Sequence, residues 1–243
     1  MKKIIIPACL LAINLILVTS CHKQEPDSND LQKIVGKIHW VEQACFRIDA
    51  SPYIIYVDPN SVPADKKADL ILITHPHGDH WSVAELDKIV KPTTILIAPA
   101  EVVYNGTIAK RIILTPGDEF NGLPGVKITA VPAYNITKTQ FHARENNWVG
   151  YLIKTNGVTI YHAGDTERVP EMKTFTADIA LLPLGQTYTF NTVNDAAEAA
   201  KDVKAKLAIP MHFGLYEGTE EDAVTFQNLL NGTIPVIIKV KGQ

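Results

Sequence analysis

Cysteine is scarce: three in 243 residues, and two of them, Cys9 and Cys21, fall at the very start of the chain. That leaves Cys45 alone, so no intrachain disulfide framework holds the rest together, and Cys45 reads as core packing within an alternating apolar run. Blocks of like charge are also absent. Twenty-three Lys and Arg against 26 Asp and Glu give a net charge of −3, and no basic stripe offers itself to phosphates, which excludes a nucleic-acid partner. No short repeat and no low-complexity tract is visible. What remains is an ordinary globular composition, 46% hydrophobic and 20% charged, long enough to bury the core of one large α/β domain.

The N-terminus departs from that composition. Lys2 and Lys3 precede an apolar stretch over residues 4–18, followed by Thr19-Ser20-Cys21. Small residues before a cysteine at the end of such a stretch resemble a bacterial lipoprotein signal. Residues 1–20 are then a signal peptide, Cys21 carries lipid, and residues 21–33 form a flexible tether leading to one domain over 34–243. The competing reading is an uncleaved membrane anchor. Loss of Lys2 and Lys3 takes the net charge to −5, so attachment to the membrane rests on the lipid. The expected location is the cell envelope. The outer membrane is favoured over the inner because His22, not an aspartate, follows the cysteine.

Beyond the tether, apolar alternation predicts strands over residues 38–48, 53–57, 70–74, 94–98, 111–114, 126–131, 149–154, 158–162, 179–184, 206–210 and 236–240. Asn156-Gly157 marks a hairpin, since both residues tolerate positive φ. Helices are expected over 83–90, with a capping box from Ser82 and Glu85, over 193–204 with Thr192 as cap, and over 222–230. Strands interleaved with helices predict an α/β class of sheets covered by helices.

Chemistry concentrates in His75-Pro76-His77-Gly78-Asp79-His80, directly after a short buried strand. Imidazole and carboxylate are ligands for zinc, iron or manganese. Alternate side chains of a tight loop let His75 and His77 face one ion while Asp79 and His80 face a second. Asp165, in Ala163-Gly164-Asp165-Thr166, and His212, in Pro210-Met211-His212, also sit at strand ends, where scaffolds assemble sites. His162 reads as a structural histidine, three residues from Asp165 on the opposite face of a strand.

These motifs, with Tyr56-Val57-Asp58-Pro59, Val131-Pro132-Ala133-Tyr134-Asn135 and Gln186-Thr187-Tyr188-Thr189, resemble the metallo-β-lactamase superfamily over roughly residues 34–240. Within it they are similar to a metal-dependent hydrolase subgroup related to ascorbate-6-phosphate lactonase and, more distantly, to N-acyl-phosphatidylethanolamine phospholipase D. The resemblance implies an αβ/βα sandwich of two mixed sheets flanked by helices, with two divalent metals, zinc first and manganese or iron as alternatives. It implies that His75 and His77 bind the first metal, that Asp79, His80 and His212 bind the second, and that Asp165 bridges them. The superfamily places a third histidine after the strand over 126–131, where this chain reads Pro132-Ala133-Tyr134-Asn135. His142 is the candidate replacement; otherwise the first metal keeps an open position. Tyr134, Asn135, Tyr188 and Asn191 are candidates to line a substrate pocket.

The expected reaction is hydrolysis of an ester-type bond, a phosphodiester, lactone or relative, by a hydroxide shared between two ions. Asp79 would orient the nucleophile and pass a proton to the leaving group. The substrate is expected to be a small or lipid-derived molecule. The alternative is a non-catalytic metal- or solute-binding envelope lipoprotein that keeps the fold.

Overall fold

The computed structural model describes residues 28–242, so the signal-peptide and Cys21 lipidation expectations lie outside the described residues. Leu31, Ile34 and Val35 recur at helical spacing, and they form the inner stripe of α1 (Ser28–Val35), with Ile34 and Val35 buried. Part of the expected tether over 21–33 is therefore a packed helix, because that stripe gives it a face to bury.

β1 (Ile38–Glu42), β2 (Cys45–Ala50) and β3 (Tyr53–Val57) form an antiparallel meander. The sequence predicts one strand over 38–48, and the structure folds it into a hairpin. Ile38 pairs with Ile48 and Trp40 with Phe46. In that register the apolar alternation stays in phase through the turn at Gln43-Ala44, so periodicity alone cannot reveal the reversal.

The sheet continues in parallel through β4 (Leu70–Leu72), the crossover helix α2 (Val83–Ile89), β5 (Ile95–Ile97) and β6 (Lys110–Ile112). Ser82 caps α2 by accepting from the Glu85 N–H at 3.2 Å. The capping box is not closed. The Glu85 carboxylate turns instead to the Val62 N–H at 2.8 Å and to Lys88 at 2.6 Å.

A second sheet is built from β7 (Glu119–Leu123), which sequence reading passes over, β8 (Val126–Pro132), β9 (Val149–Thr155), β10 (Val158–His162), β11 (Ile179–Pro183) and, after α3 (Val193–Asp202), β12 (Leu207–Met211). The β9–β10 turn has φ of 49° at Asn156 and 80° at Gly157, the conformation those residues allow. Helix α4 (Glu220–Leu230) packs on α3. The expected strand over 236–240 is reduced to one bridge, Ala208 to Val236. Ala208 donates to the Pro235 carbonyl and accepts from Ile237, but two residues on, Pro210 has no N–H to extend the ladder.

Both sheets are mixed, parallel on one side and antiparallel on the other. Leu70 and Leu72 face a core shared with Ile128, Tyr151 and Ile160 of the second sheet, whereas Ile71 and Ile73 pack with Leu86 and Ile89 near α2. The result is the helix-flanked pair of mixed sheets that the resemblance to the metallo-β-lactamase superfamily implies. Cys45 is buried and free, and burial holds its thiol far above the usual range, so it is inert packing.

Candidate metal centre

The strands end on one edge of the sandwich, and their loops meet there. Asp58 closes β3, Thr74 to His80 follow β4, residues 133–142 follow β8, Asp165 follows β10 and His212 follows β12. Asp58 organises the first of these loops. Its buried carboxylate accepts from the Thr74 N–H and from the Thr74 hydroxyl, both at 2.7 Å, and lies 2.9 Å from His80 Nδ1. Because the Thr74 hydroxyl gives its hydrogen to Asp58, it can only accept from His75 Nδ1, 2.9 Å away. His75 and His80 therefore carry their protons on Nδ1 and turn Nε2 inward. Outer partners that fix the tautomer in this way are the usual support of histidine ligands. Glu217 stands in the corresponding place beside His212, with Oε1 3.0 Å from Nδ1 but without the geometry of a hydrogen bond.

Three ligand sets result, with potential donor atoms in each within 4.8 Å of one another: His75, His77 and His142; His75, His80 and Asp165; Asp79, His80 and His212. The structure thus brings together every residue expected at the metals, His142 included. Sequence spacing could not place His142, because its loop is held by distant partners. The Glu167 carboxylate accepts from the N–H groups of Ile136, Thr137 and Lys138, and the Lys138 ammonium donates to the carbonyls of Gln186, Thr189 and Phe190. Trp148 then walls the first set, with its ring centroid 5.3 Å from His75, 5.0 Å from His77 and 5.6 Å from His142.

Three pocket expectations need correction. Tyr134 belongs to the core, and its hydroxyl donates to Glu171 at 2.9 Å. Asn135 is buried as a brace: its amide donates to the Tyr188 carbonyl at 2.7 Å and lies 3.3 Å from His142 Nδ1. Asn191 stands apart from the cavity, accepting from the Thr137 hydroxyl. Tyr188 does line the cavity, which measures about 320 Å³ and opens over His77, Asp79, His142 and Asp165. Phe141 and Tyr216 complete its wall and were not singled out from sequence, although Phe141 adjoins His142. Gln43 and Glu217 also went unnoticed; nothing in their local sequence marks them. His162 is structural as expected, buried with Nε2 2.8 Å from the Ala44 carbonyl.

The cluster fits cations. Nε2 of His75, His80 and His142 and Oδ1 of Asp165 are buried without a hydrogen-bond partner among the described residues, and such atoms are costly to bury unless something satisfies them. As protein groups alone, they settle their charge by moving protons. Burial pushes His75 well below the ordinary imidazole range, aided by His80, and pushes His142 down to about 4. For His80 and His212 burial acts in the same direction, but carboxylates outweigh it. Asp165 and Asp58 raise His80 to about 10, and Asp165, Asp79 and Glu217 hold His212 well above its usual value. Asp165 and Asp79 resist their own burial through those imidazoles and stay ionised.

A cation entering this cluster displaces the protons that His80 and His212 hold at neutral pH, so apparent metal affinity rises with pH and weakens as pH falls. Titration calorimetry with zinc in buffers of different ionisation enthalpy is expected to show at least about one proton released per chain at pH 7. Binding without proton release would contradict the proton placement.

Comparison with known proteins agrees with this geometry. The beta-lactamase superfamily domain matches residues 37–212. A UPF0173 metal-dependent hydrolase of Thermococcus kodakarensis is 31% identical over 223 residues, spanning 85% of this chain and 97% of the relative. The chain belongs to the UPF0173 metal-dependent hydrolase family. Among solved structures, a Parabacteroides distasonis protein assigned to the metal-dependent hydrolases is 34% identical, with a TM-score of 0.73 over 83% of this chain and 91% of that one. A metallo hydrolase of Ignicoccus hospitalis, Igni18, shares the fold at 21% identity, with a TM-score of 0.68 over 85% and 95% of the two chains. Membership in the UPF0173 family makes this chain a metal-dependent hydrolase, and its histidine and aspartate clusters lie at the edge where the strand ends meet.

Proposed function

We propose that this hydrolase holds two cations and cleaves an ester-type bond next to an apolar substituent. The position of Asp165 carries the reading. Its Oδ2 lies 3.9 Å from His75 Nε2, 3.4 Å from His80 Nε2, 3.6 Å from His142 Nε2 and 3.3 Å from His212 Nε2. A single carboxylate oxygen thus faces both ligand sets, so Asp165 could serve a cation in each. His75, His77 and His142 would hold one cation, and Asp79, His80 and His212 the other. Imidazole with carboxylate suits zinc, ahead of manganese or iron. Two such cations supply Lewis acidity toward a substrate oxygen and ionise water near neutral pH.

The chain's own groups do the rest. Asp79 is partly exposed, lines the cavity and stays ionised, so it can orient a nucleophile and relay a proton to the leaving group. Phe141 and Tyr188 meet edge to face at 4.8 Å, and with Tyr216 they make an aromatic wall in which, among the described residues, no lysine or arginine takes part. That wall supports an apolar acyl, alkyl or aryl substituent. The resemblance of the motifs to those of ascorbate-6-phosphate lactonase and, more distantly, N-acyl-phosphatidylethanolamine phospholipase D supports the ester-type bond. The stretch from Lys2 to Cys21 supports export as an envelope lipoprotein, which would bring the site near lipid-derived substrates.

The test compares p-nitrophenyl butyrate, bis(p-nitrophenyl) phosphate and a γ-lactone on metal-loaded protein, before and after chelation. Turnover of at least one is expected, to be lost on chelation and restored by metal. Tyr188→Ala should raise KM for the butyryl ester by about tenfold with little change in kcat, the loss expected for a pocket contact. Turnover that survives chelation would refute the mechanism.

A further inference from the structure

Gln43 occupies the β1–β2 turn, 1% exposed, with φ of 52°, and the His212 it faces has φ of 58°. Non-glycine residues seldom adopt this left-handed region, and those that do gather at functional sites. The two are locked together. The His212 N–H donates to the Gln43 carbonyl at 3.0 Å, and the same carbonyl accepts from Trp40 Nε1 at 2.8 Å. This pins the side chain against the ligand set of Asp79, His80 and His212. Gln43 Nε2 lies 2.9 Å from His212 Nε2 and 3.4 Å from Asp79 Oδ2. Gln43 Oε1 is buried and has no hydrogen-bond partner among the described residues.

That orientation conflicts with a cation. His212 Nδ1 faces Glu217, which leaves the lone pair of Nε2 to a cation once that nitrogen is deprotonated. A cation bound by His212 takes that lone pair, and the amide would then turn the positive end of its dipole toward the ion. A half-turn of the terminal torsion exchanges the amide nitrogen and oxygen while the rest of the side chain stays in place. We propose that Gln43 Oε1 is an additional oxygen ligand of the cation held by Asp79, His80 and His212. The unpaired oxygen is then the donor that the site uses, and the hairpin turn holds it there. The proposal rests on the two-cation reading above.

The test uses metal-free full-length protein: wild type, Gln43→Leu and Gln43→Glu. Each is titrated with zinc against a chromophoric chelator and with cobalt(II) followed by its visible absorption. Wild type should show two binding steps. Gln43→Leu should weaken one step by about 10–100-fold, leave the other unchanged and alter the cobalt(II) spectrum of the weakened site. Gln43→Glu should tighten that same step, since a carboxylate is the stronger donor. If the amide nitrogen faces the ion, Gln43→Leu will bind as tightly as wild type or more so; if the amide only steadies Asp79, Gln43→Leu weakens the step as loss of an outer partner does, and Gln43→Glu is the variant that decides. Gln43→Glu will then bind no better, because it sets a second carboxylate against Asp79. Either result overturns the proposal. Gln43→Met keeps the side-chain length and replaces the leucine variant if that fails to fold. A wild type with one binding step or none would refute the two-cation reading itself, and the proposal with it, before any variant is compared.

Discussion

Asp165→Asn is expected to lower metal-dependent turnover by on the order of a thousandfold or more, the scale seen when a group that stabilises charge in the reaction is removed. The substitution keeps the size of the side chain and its place after β10. It removes the negative charge whose Oδ2 stands between His75, His80, His142 and His212. An amide in that position presents one neutral oxygen and one N–H donor, and it cannot serve two cations. The fold should survive, because the only other change is in the protons that His80 and His212 hold in response to Asp165. Circular dichroism and steady-state rates on metal-loaded protein measure both sides. Near-normal turnover in a folded variant would remove Asp165 from the mechanism.

Asp58→Ala should damage the fold and the site together. The Asp58 carboxylate is fully buried and satisfies the Thr74 N–H, the Thr74 hydroxyl and His80 Nδ1. Alanine leaves three buried donors without acceptors and His80 without its partner. Breaking a buried charged network from one side costs about 3–5 kcal/mol, and losing the outer partner of a ligand weakens metal affinity by about 10–100-fold. Denaturant unfolding of the metal-free protein reads the first effect, and chelator competition the second. If metal affinity were unchanged at reduced stability, Asp58 would be a structural residue only.

How far the site could be read from sequence follows from the distances along the chain that its contacts span. The run from His75 to His80 was legible because four donors follow one short buried strand, so the loop itself brings them together. Asp165 and His212 were legible as carboxylate and imidazole at strand ends. His142 could only be a candidate, because Glu167 and Lys138 fold its loop back over the site. Tyr134 was misplaced for a related reason: its position next to the site in sequence says nothing of the side its ring takes, and the ring entered the core. Gln43 left no signal at all, since its partner His212 is 169 residues away. In the fold, most strands were legible from apolar runs, but β7, with one strand face largely polar, was not. The β1–β2 hairpin was hidden by a register that preserves alternation, and the expected C-terminal strand was cut short by a proline in its neighbour.

The central claim is that this edge of the sandwich holds two cations bridged by Asp165. Elemental analysis of purified protein after metal loading and gel filtration, with wild type and Asp165→Asn side by side, tests it most directly. The account predicts two ions per chain in wild type and fewer in Asp165→Asn. One ion or none in wild type, or two retained by the variant, would contradict it.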